Sequence, residues 1–319
     1  MTANNTNGGT GGGVRVVQID DERAGQRLDN FLLGQLKGAP RSLIYRILRT
    51  GQVRVNGGRA KADQRLSAGD SVRIPPVRLT ESRDDAPGPS PKQIATIEKA
   101  IVFEDDWLLA LAKPSGIAAH GGSGVRFGAI ELIRAARPNA SLELVHRLDR
   151  DTSGLLLIAK KRTALLQLQA LMRDGGITKQ YLALLVGRLK GDSFTVDLPL
   201  ERGKQGGERM VRVGDDGKDS VSHFKVLERR GGHSYVEVRI DTGRTHQIRV
   251  HAAHLGHPVA GDDKYGDREA NRRLREKAGL KRLFLHAASL EFALDEGRRP
   301  YLLNAPLPDD LSDALNRLG

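Results

Sequence analysis

Two stretches of this 319-residue chain crowd proton- and charge-carrying side chains around turns: HRLDRDTSG at 146–154 and GRTHQIRVHAAHLGHP at 243–258. In the first, Asp149 stands between Arg147 and Arg150, and the chain then runs into the apolar GLLLIAK. Flanking guanidinium groups favour an ionised carboxylate. Such a group suits a nucleophile or a base rather than a general acid, although the same residues would equally make an ion pair in a turn. Glycosidase-type hydrolysis needs a second, protonated carboxylic acid opposite the first. Asp151, beside Thr152 and Ser153, reads instead as a cap or turn former. A serine triad lacks its GxSxG elbow.

In the second stretch His251 and His254, three apart, are spaced to share a metal on one helix face. No carboxylate stands at the HExxH position and the chain has no cysteine, so no metal site is expected. The glycine-rich HGGSG at 120–124 offers amides to a phosphate. It lacks GK[ST] and the Rossmann spacing, so a loop beside a binding groove is expected, and no cofactor.

The net charge of +12 favours a polyanionic partner. Aromatics are only 4% of the chain, which leaves few platforms for stacking bases, so phosphate contacts should carry most of any nucleic-acid affinity. No apolar run approaches the roughly 20 residues of a membrane span. The opening MTANNTNGGTGGG lacks the basic and apolar parts of a signal peptide. A cytoplasmic protein without a membrane partner is the expectation.

These residues need elements to hold them. Residues 1–13 should be disordered. From 14 to 76 the pattern is helix, helix, hairpin, strand: Leu28, Phe31, Leu32 and Leu36 fall at helical spacing, and a second helix opens at Pro40 with Leu43, Ile44, Ile47 and Leu48 inward. Arg46 and Arg49 share its other face. Asn56-Gly57 signals a hairpin. Half of the net charge lies in this fifth of the chain. The polar, Pro-rich residues 77–97 read as a linker. From 98 to 319 strands predominate: WLLALAK, GLLLIAK, KQYLALLVG, SYVEVRI and LFLHAASLEFAL. Helices are expected over RFGAIELIRAARP, after a cap at Thr163 up to Gly175, and over RTHQIRVHAAHLGHP. Many strands with few crossover helices favour α+β.

HRLDRDTSG also resembles the signature HRLDxxTSG of the pseudouridine synthase family, in the branch that modifies bacterial large-subunit ribosomal RNA. KPSG at 113–116, ITKQYLALLVG at 177–187, GRTHQIRVHAAHLGHP, KYGDRE at 264–269 and LFLHAASL at 283–290 agree in order. Residues 14–76 resemble the small αL RNA-binding module that accompanies this catalytic domain. The resemblance implies an α+β catalytic domain on a mixed, mostly antiparallel sheet flanked by helices and loops. It implies isomerisation of uridines in 23S ribosomal RNA: the N1–C1′ bond breaks, the uracil rotates, and a C5–C1′ bond forms, with no cofactor and no metal. Asp149 is then the essential carboxylate, Arg244 pairs with it, and Tyr181 abuts the target base. Arg147 fills the gap that the extruded base leaves. His146, Thr152, Lys179, His246, Gln247 and Arg249 are expected to meet substrate RNA, and Arg41, Arg46, Arg49 and Arg54 to bind RNA from the N-terminal module. A monomer is expected. The rivals are a synthase acting on transfer RNA or another ribosomal RNA region, a base-releasing glycosidase, and a catalytically silent RNA-binding or assembly protein. The stretch 188–220 carries no expectation.

Overall fold

The computed structural model describes residues 13–36, 39, 41–77, 88–122, 124–205, 208–294 and 300–319, with the side chains of 22, 41, 42, 204, 205 and 209 left out. Pro40, Ser123, residues 1–12 and most of the expected linker, 78–87, lie outside the described residues, as does the side chain of Arg41. The chain divides into two units, Met1–Gly88 and Pro89–Gly319.

In the first unit, strand β1 (Arg15–Gln18) precedes helices α1 (Leu28–Gln35) and α2 (Arg41–Arg49), followed by β2 (Arg54–Val55), β3 (Gly58–Arg59) and β4 (Ser71–Ile74). The strands form an antiparallel sheet in the order β1-β4-β2-β3. Asn56 and Gly57 both take positive φ, 51° and 78°, which is what the two-residue hairpin turn between β2 and β3 requires. Leu28, Phe31 and Leu32 of α1 and Ile44, Ile47 and Leu48 of α2 close one core with Val53, Val55, Val72 and Ile74. That packing turns Arg46 and Arg49 outward.

The second unit opens with α3 (Pro91–Lys99). Residues 91–97 are therefore helix rather than linker. Ser90 and Gln93 make a reciprocal capping box with Pro91 in the first turn, and Ile97 is buried. The remaining elements are β5 (Ile101–Glu104), β6 (Leu108–Lys113), α4 (Ala129–Ala136), β7 (Glu143–Leu144), β8 (Ser153–Ala159), α5 (Arg162–Asp174), β9 (Thr178–Leu185), β10 (Ser193–Asp197), β11 (Leu200–Gln205), β12 (Glu208–Val213), β13 (Val221–Arg230), β14 (His233–Ile240), α6 (Gln247–His254), α7 (Arg268–Ala278), β15 (Leu285–Phe292), β16 (Tyr301–Asn304) and α8 (Asp309–Asn316). The fold is α+β. Its main sheet runs β10-β13-β14-β9-β15-β8-β6-β5, with β7 added to β8 and β16 to β15. The described pairings are antiparallel except β8 with β15, which run parallel through His286↔Ser153 and Ala287↔Gly154. Beyond that short contact β15 leaves β8 and pairs β16 instead, so the sheet forks there.

Strands β6 and β8 are covered on both faces. Leu109, Leu111, Leu156 and Ile158 pack with Ile97, Ile130 and Ile133, while Leu108, Ala110, Leu155 and Leu157 pack with Ala164, Leu165 and Leu168 of α5. This is why GLLLIAK is apolar without alternation. In β14 Val236, Val238 and Ile240 alternate inward against Ile248 and Ala252 of α6. Helix α5 is capped by Lys161 with no side-chain bond, so Thr163 sits inside its first turn, while Gly175 ends it in the left-handed region. Helix α6 starts at Gln247, later than its polar pattern suggests, because His246 takes φ 56° and breaks any earlier turn. In the stretch without expectation, β10 joins the main sheet, and β11 and β12 form a separate hairpin.

Gly154 sits at the parallel contact with φ 109°, where a Cβ would come within 2.2 Å of the Ala287 carbonyl oxygen. Only glycine lets β8 and β15 meet there. Gly154→Ala should destabilise the protein by about 3 kcal/mol or more in urea unfolding; a loss within experimental error would show that the two strands separate freely.

Candidate active site

Asp149 lies in the loop that enters β8, and main-chain bonds hold that loop from several sides. Thr152 N–H donates to the Asp149 carbonyl at 3.2 Å, Gly116 N–H to the Arg150 carbonyl at 2.9 Å, and the Ser115 hydroxyl to the Asp151 carbonyl at 2.7 Å. Lys113, wholly buried at the end of β6, donates to the carbonyls of Pro114 (3.1 Å), Ile117 (2.7 Å) and Arg150 (3.1 Å). Burial pushes its ammonium group down to about 7, against the pull of Asp151 and Asp149. Lys113 thus ties the KPSG turn to the signature turn.

The side chain of Asp149 is partly buried and faces helix α6. Arg249 Nη1 reaches its Oδ2 at 3.4 Å, and His246 Nε2 lies 3.8 Å from the same oxygen. Arg249 is itself buried and gripped from behind: Nε and Nη2 donate to the two oxygens of Asp262 at 2.7 and 2.8 Å. Burial opposes the charge on Arg249, but Asp262 outweighs it and holds the guanidinium above its ordinary value. Burial likewise opposes the Asp262 charge; Arg249 and the N–H groups of Lys264 and Tyr265 overcome it and hold the carboxyl below its ordinary value. Burial lowers the His246 imidazole, with Asp149 pulling the other way.

Beside the carboxylate is a cavity of about 80 Å³ whose walls include Tyr181, Ile240, Ile248 and Leu285, with Arg147 and Arg244 on its lining. Burial raises the Tyr181 phenol well above its ordinary value, and the Asp149 charge adds to the effect, so the ring is a neutral, apolar wall. On its other side Asp149 opens to a groove of about 840 Å³ that Arg147, Arg150, Arg268 and Lys281 also line. Among the described residues, Arg147, Arg268 and Lys281 have no carboxylate within ion-pair distance. No group of histidine and carboxylate side chains suited to a metal occurs among the described residues. The ring nitrogens of His251 are already engaged, by the hydroxyls of Ser222 (2.9 Å) and Ser220 (3.1 Å).

Several sequence-predicted residues take other positions. Arg244 does not pair with Asp149: its Nε donates to the Asp219 carbonyl at 3.0 Å. The partner is Arg249, five residues on: the chain turns through 245–246, and among the described residues it is the arginine of α6 that reaches the carboxylate. His146 faces inward and accepts the Leu157 N–H at 3.1 Å; burial lowers it to about 4, so it is a neutral brace. Lys179 is buried, with burial lowering its ammonium, and donates to the Ile177 carbonyl at 3.3 Å. Gln247 is buried too. Its oxygen accepts from the Thr242 hydroxyl (2.8 Å) and Arg244 N–H (3.0 Å), and its amide donates to Ser222 and the Val221 carbonyl. Thr152 is buried under the cavity. These four shape the site and offer little to RNA. In HGGSG the Gly121 amide donates to Glu131 at 2.9 Å and the Gly122 amide to the Val125 carbonyl at 2.8 Å, so these two are not open to an anion; Ser123 lies outside the described residues. Asp262 and Lys113 are not singled out by the sequence pattern, although both stand in or beside recognisable motifs, GDDKYGD and KPSG.

Asp262→Asn removes the counter-charge of a buried guanidinium and should cost about 3–5 kcal/mol at pH 7 in urea unfolding. The Asp262 carboxyl is depressed on folding. Its contribution is therefore complete above the ordinary carboxylate value and is lost as pH falls through the depressed one. The gap between native protein and variant should narrow on acidification.

The sequence model of the RNA pseudouridylate synthase family matches residues 107–254, and that of the S4 domain matches 26–72. The chain is 52% identical over 308 residues to ribosomal large subunit pseudouridine synthase C of Escherichia coli strain K12, covering 96% of this chain and 97% of the relative. The identity is 48% over 308 residues to the protein of the same name from Vibrio cholerae, again with 96% and 97% covered. Among solved structures, human RNA pseudouridylate synthase domain containing 4 matches with TM-score 0.59 and 25% identity over 71% of this chain and 97% of that one. Human RNA pseudouridylate synthase domain containing 1 matches with TM-score 0.55 and 28% identity over 65% and 82%. The carboxylate turn, Tyr181, Ile240 and Ile248 of the apolar slot and the arginine that faces them lie within residues 107–254, and the chain, about half identical to the Escherichia coli and Vibrio cholerae proteins over nearly its whole length, belongs to the RNA pseudouridylate synthase family.

Proposed function

We propose that this pseudouridine synthase isomerises specific uridines of 23S ribosomal RNA, in the cytoplasm and as a monomer, with Asp149 as its catalytic carboxylate. The observation that carries the reading is the Asp149 side chain, held by Arg249 at 3.4 Å on the lining of an apolar slot. The substrate class follows the names of relatives that are about half identical over nearly the whole chain. A carboxylate anion beside C1′ meets the electron-poor sugar carbon as N1–C1′ breaks. The detached uracil turns against Tyr181 and rejoins through C5, exchanging its C5 proton for one at N1. The apolar walls suit a base taken out of its stack, and extrusion costs a few kcal/mol, least where the RNA is irregular. Arg147, exposed on the slot lining and free of an ion pair among the described residues, is placed to occupy the space that base leaves.

The N-terminal unit supplies affinity. Arg46 and Arg49 are exposed on α2 without an ion-pair partner among the described residues. Arg54 stands in register with Arg59 on one side and Arg73 on the other, a row of like charges across three strands. Like charges directly opposite each other oppose folding, and a phosphate backbone laid along them relieves the repulsion. Such contacts position RNA and leave sequence choice to its shape.

Two measurements test this. Unmodified 23S ribosomal RNA incubated with the protein should show carbodiimide-dependent reverse-transcription stops at a few defined uridines, and Asp149→Ala should reduce their formation by about 10⁴-fold or more. Stops that persist with the variant would remove Asp149 from the chemistry. Arg46→Glu with Arg49→Glu should weaken RNA binding and make its salt dependence shallower by about two. Turnover at saturating RNA should hardly change. Unaltered affinity would mean that this face does not meet RNA.

A further inference from the structure

Tyr265, in the turn between α6 and α7, joins the hairpin β11–β12 to the side chains around Asp149. Its hydroxyl oxygen accepts the Val211 N–H of strand β12 at 3.0 Å and lies 2.7 Å from His246 Nδ1. The His246 ring meets the Tyr265 ring edge to face at 5.4 Å, and the Arg249 guanidinium lies over the Tyr265 ring at 5.1 Å. The hairpin β11–β12 pairs with no strand of the main sheet and leans on α6 through Leu200, Val211 and Val250, with Tyr265 packed against that cluster. One phenol therefore touches the hairpin, the buried arginine and the histidine nearest Asp149.

The hydrogen-bond chemistry assigns the protons. A tyrosine hydroxyl has one proton to give. Its oxygen already accepts from Val211, and among the described residues His246 Nδ1 is the acceptor in reach. If the hydroxyl donates to Nδ1, the neutral imidazole carries its proton on Nε2, the atom 3.8 Å from Asp149 Oδ2. In the opposite tautomer a lone pair would face the carboxylate and the hydroxyl proton would have no acceptor. The charged groups around the ring are Asp149, Arg249, Lys264 and Asp262. The positive φ of His246 fixes its backbone, leaving the tautomer to be set by the bond at Nδ1.

We propose that Tyr265 is a positioning residue for the reaction: anchored by hairpin β11–β12, it locks His246 as the Nε2–H tautomer and so keeps an N–H donor, rather than a lone pair, facing the Asp149 carboxylate. The proposal rests on Asp149 being the reacting group. It gives the hairpin, whose Glu208 and Met210 line the same groove as Asp149, a second link to the site through the phenol. Seating of the hairpin on α6 becomes a condition for the correctly presented donor.

The test combines spectroscopy and kinetics. Long-range ¹H–¹⁵N correlation of protein labelled at its nine histidines, assigned with His246→Gln, should show native His246 protonated at Nε2. Tyr265→Phe should move that signal toward mixed tautomers and lower kcat by about 10–100-fold, the scale for losing the group that orients a neighbouring functional side chain, with KM little changed. Gln at 246 presents an amide N–H near the Nε2 position without needing the phenol, so in the His246→Gln background Tyr265→Phe should change kcat by less than about twofold. Native His246 protonated at Nδ1 would overturn the proposal. So would a Tyr265→Phe defect equally large in the His246→Gln background, which would mark a purely structural role; all assays run well below each variant's melting temperature. The tautomer is read on free protein, so its outcome is independent of the outcome of Asp149→Ala on RNA.

Discussion

A guanidinium shared between two carboxylates is the interaction on which the site depends. Arg249 is held by Asp262 through two hydrogen bonds of ordinary length and touches Asp149 through one longer contact. The inequality has an electrostatic reason. A buried guanidinium without a counter-ion would be very costly, so Asp262 neutralises it and fixes its plane. Asp149 then receives a directed positive edge without a tight pair of its own. A carboxylate locked in a bidentate bridge would have both oxygens occupied and little freedom to meet a sugar carbon.

Holding the Asp149 side chain still also requires holding its main chain still. The turn around Asp149 is bonded through the carbonyls of 149, 150 and 151, and the donors come from its own turn, from the KPSG turn and from buried Lys113. On the far side the first residues of β8 are clasped by β15: Ser153 bonds His286 at 3.0 Å and receives a bond from Arg282 at 3.1 Å, while Arg282 pairs with Asp310 of α8. The forked sheet explains the arrangement. The single parallel pairing, with Gly154 admitting the close approach, brings β15 alongside the signature turn, and the departure of β15 to β16 leaves the remainder of β8 to β6 and β7.

What is legible in the chain divides along the same physical line. Apolar periodicity locates β6, β8, β9, β14 and β15 and helices α1, α2, α4 and α5, because burial on one or two faces imposes it locally, whereas the shorter or more polar β1, β5, β10 to β13 and β16 carry no such pattern. The Asn56-Gly57 turn and the Gly175 helix end are legible because each demands a backbone few residues adopt. Asp149 is legible through its charged neighbours and family signature. The capping box at Ser90 and Gln93 is equally local, but the proline-rich composition around it masks it. The polar residues are another matter. His146, Lys179 and Gln247 look like surface groups in a basic chain, yet each satisfies main-chain groups inside the fold, and Gln247 does so at Val221, twenty-six residues away. The exchange of Arg244 for Arg249 has a similar origin. Both arginines sit in one motif, and the choice between them turns on a left-handed residue, His246, that no side-chain pattern announces.

Charge in this protein is used in two different ways, and the difference explains why its overall excess says so little about its chemistry. In the N-terminal unit Arg46 and Arg49 are exposed, Arg54, Arg59 and Arg73 repel one another across neighbouring strands, and all act over the distance that salt allows, roughly 8–10 Å in physiological solution. Their effect on a polyanion is additive, and single losses are tolerable. Against the Asp149 carboxylate itself stands Arg249, buried and compensated by Asp262, so its effect depends on direction. Moving a proton from one imidazole nitrogen to the other leaves the net charge unchanged but reverses what the carboxylate faces. A count of Lys and Arg registers the first use and is blind to the second.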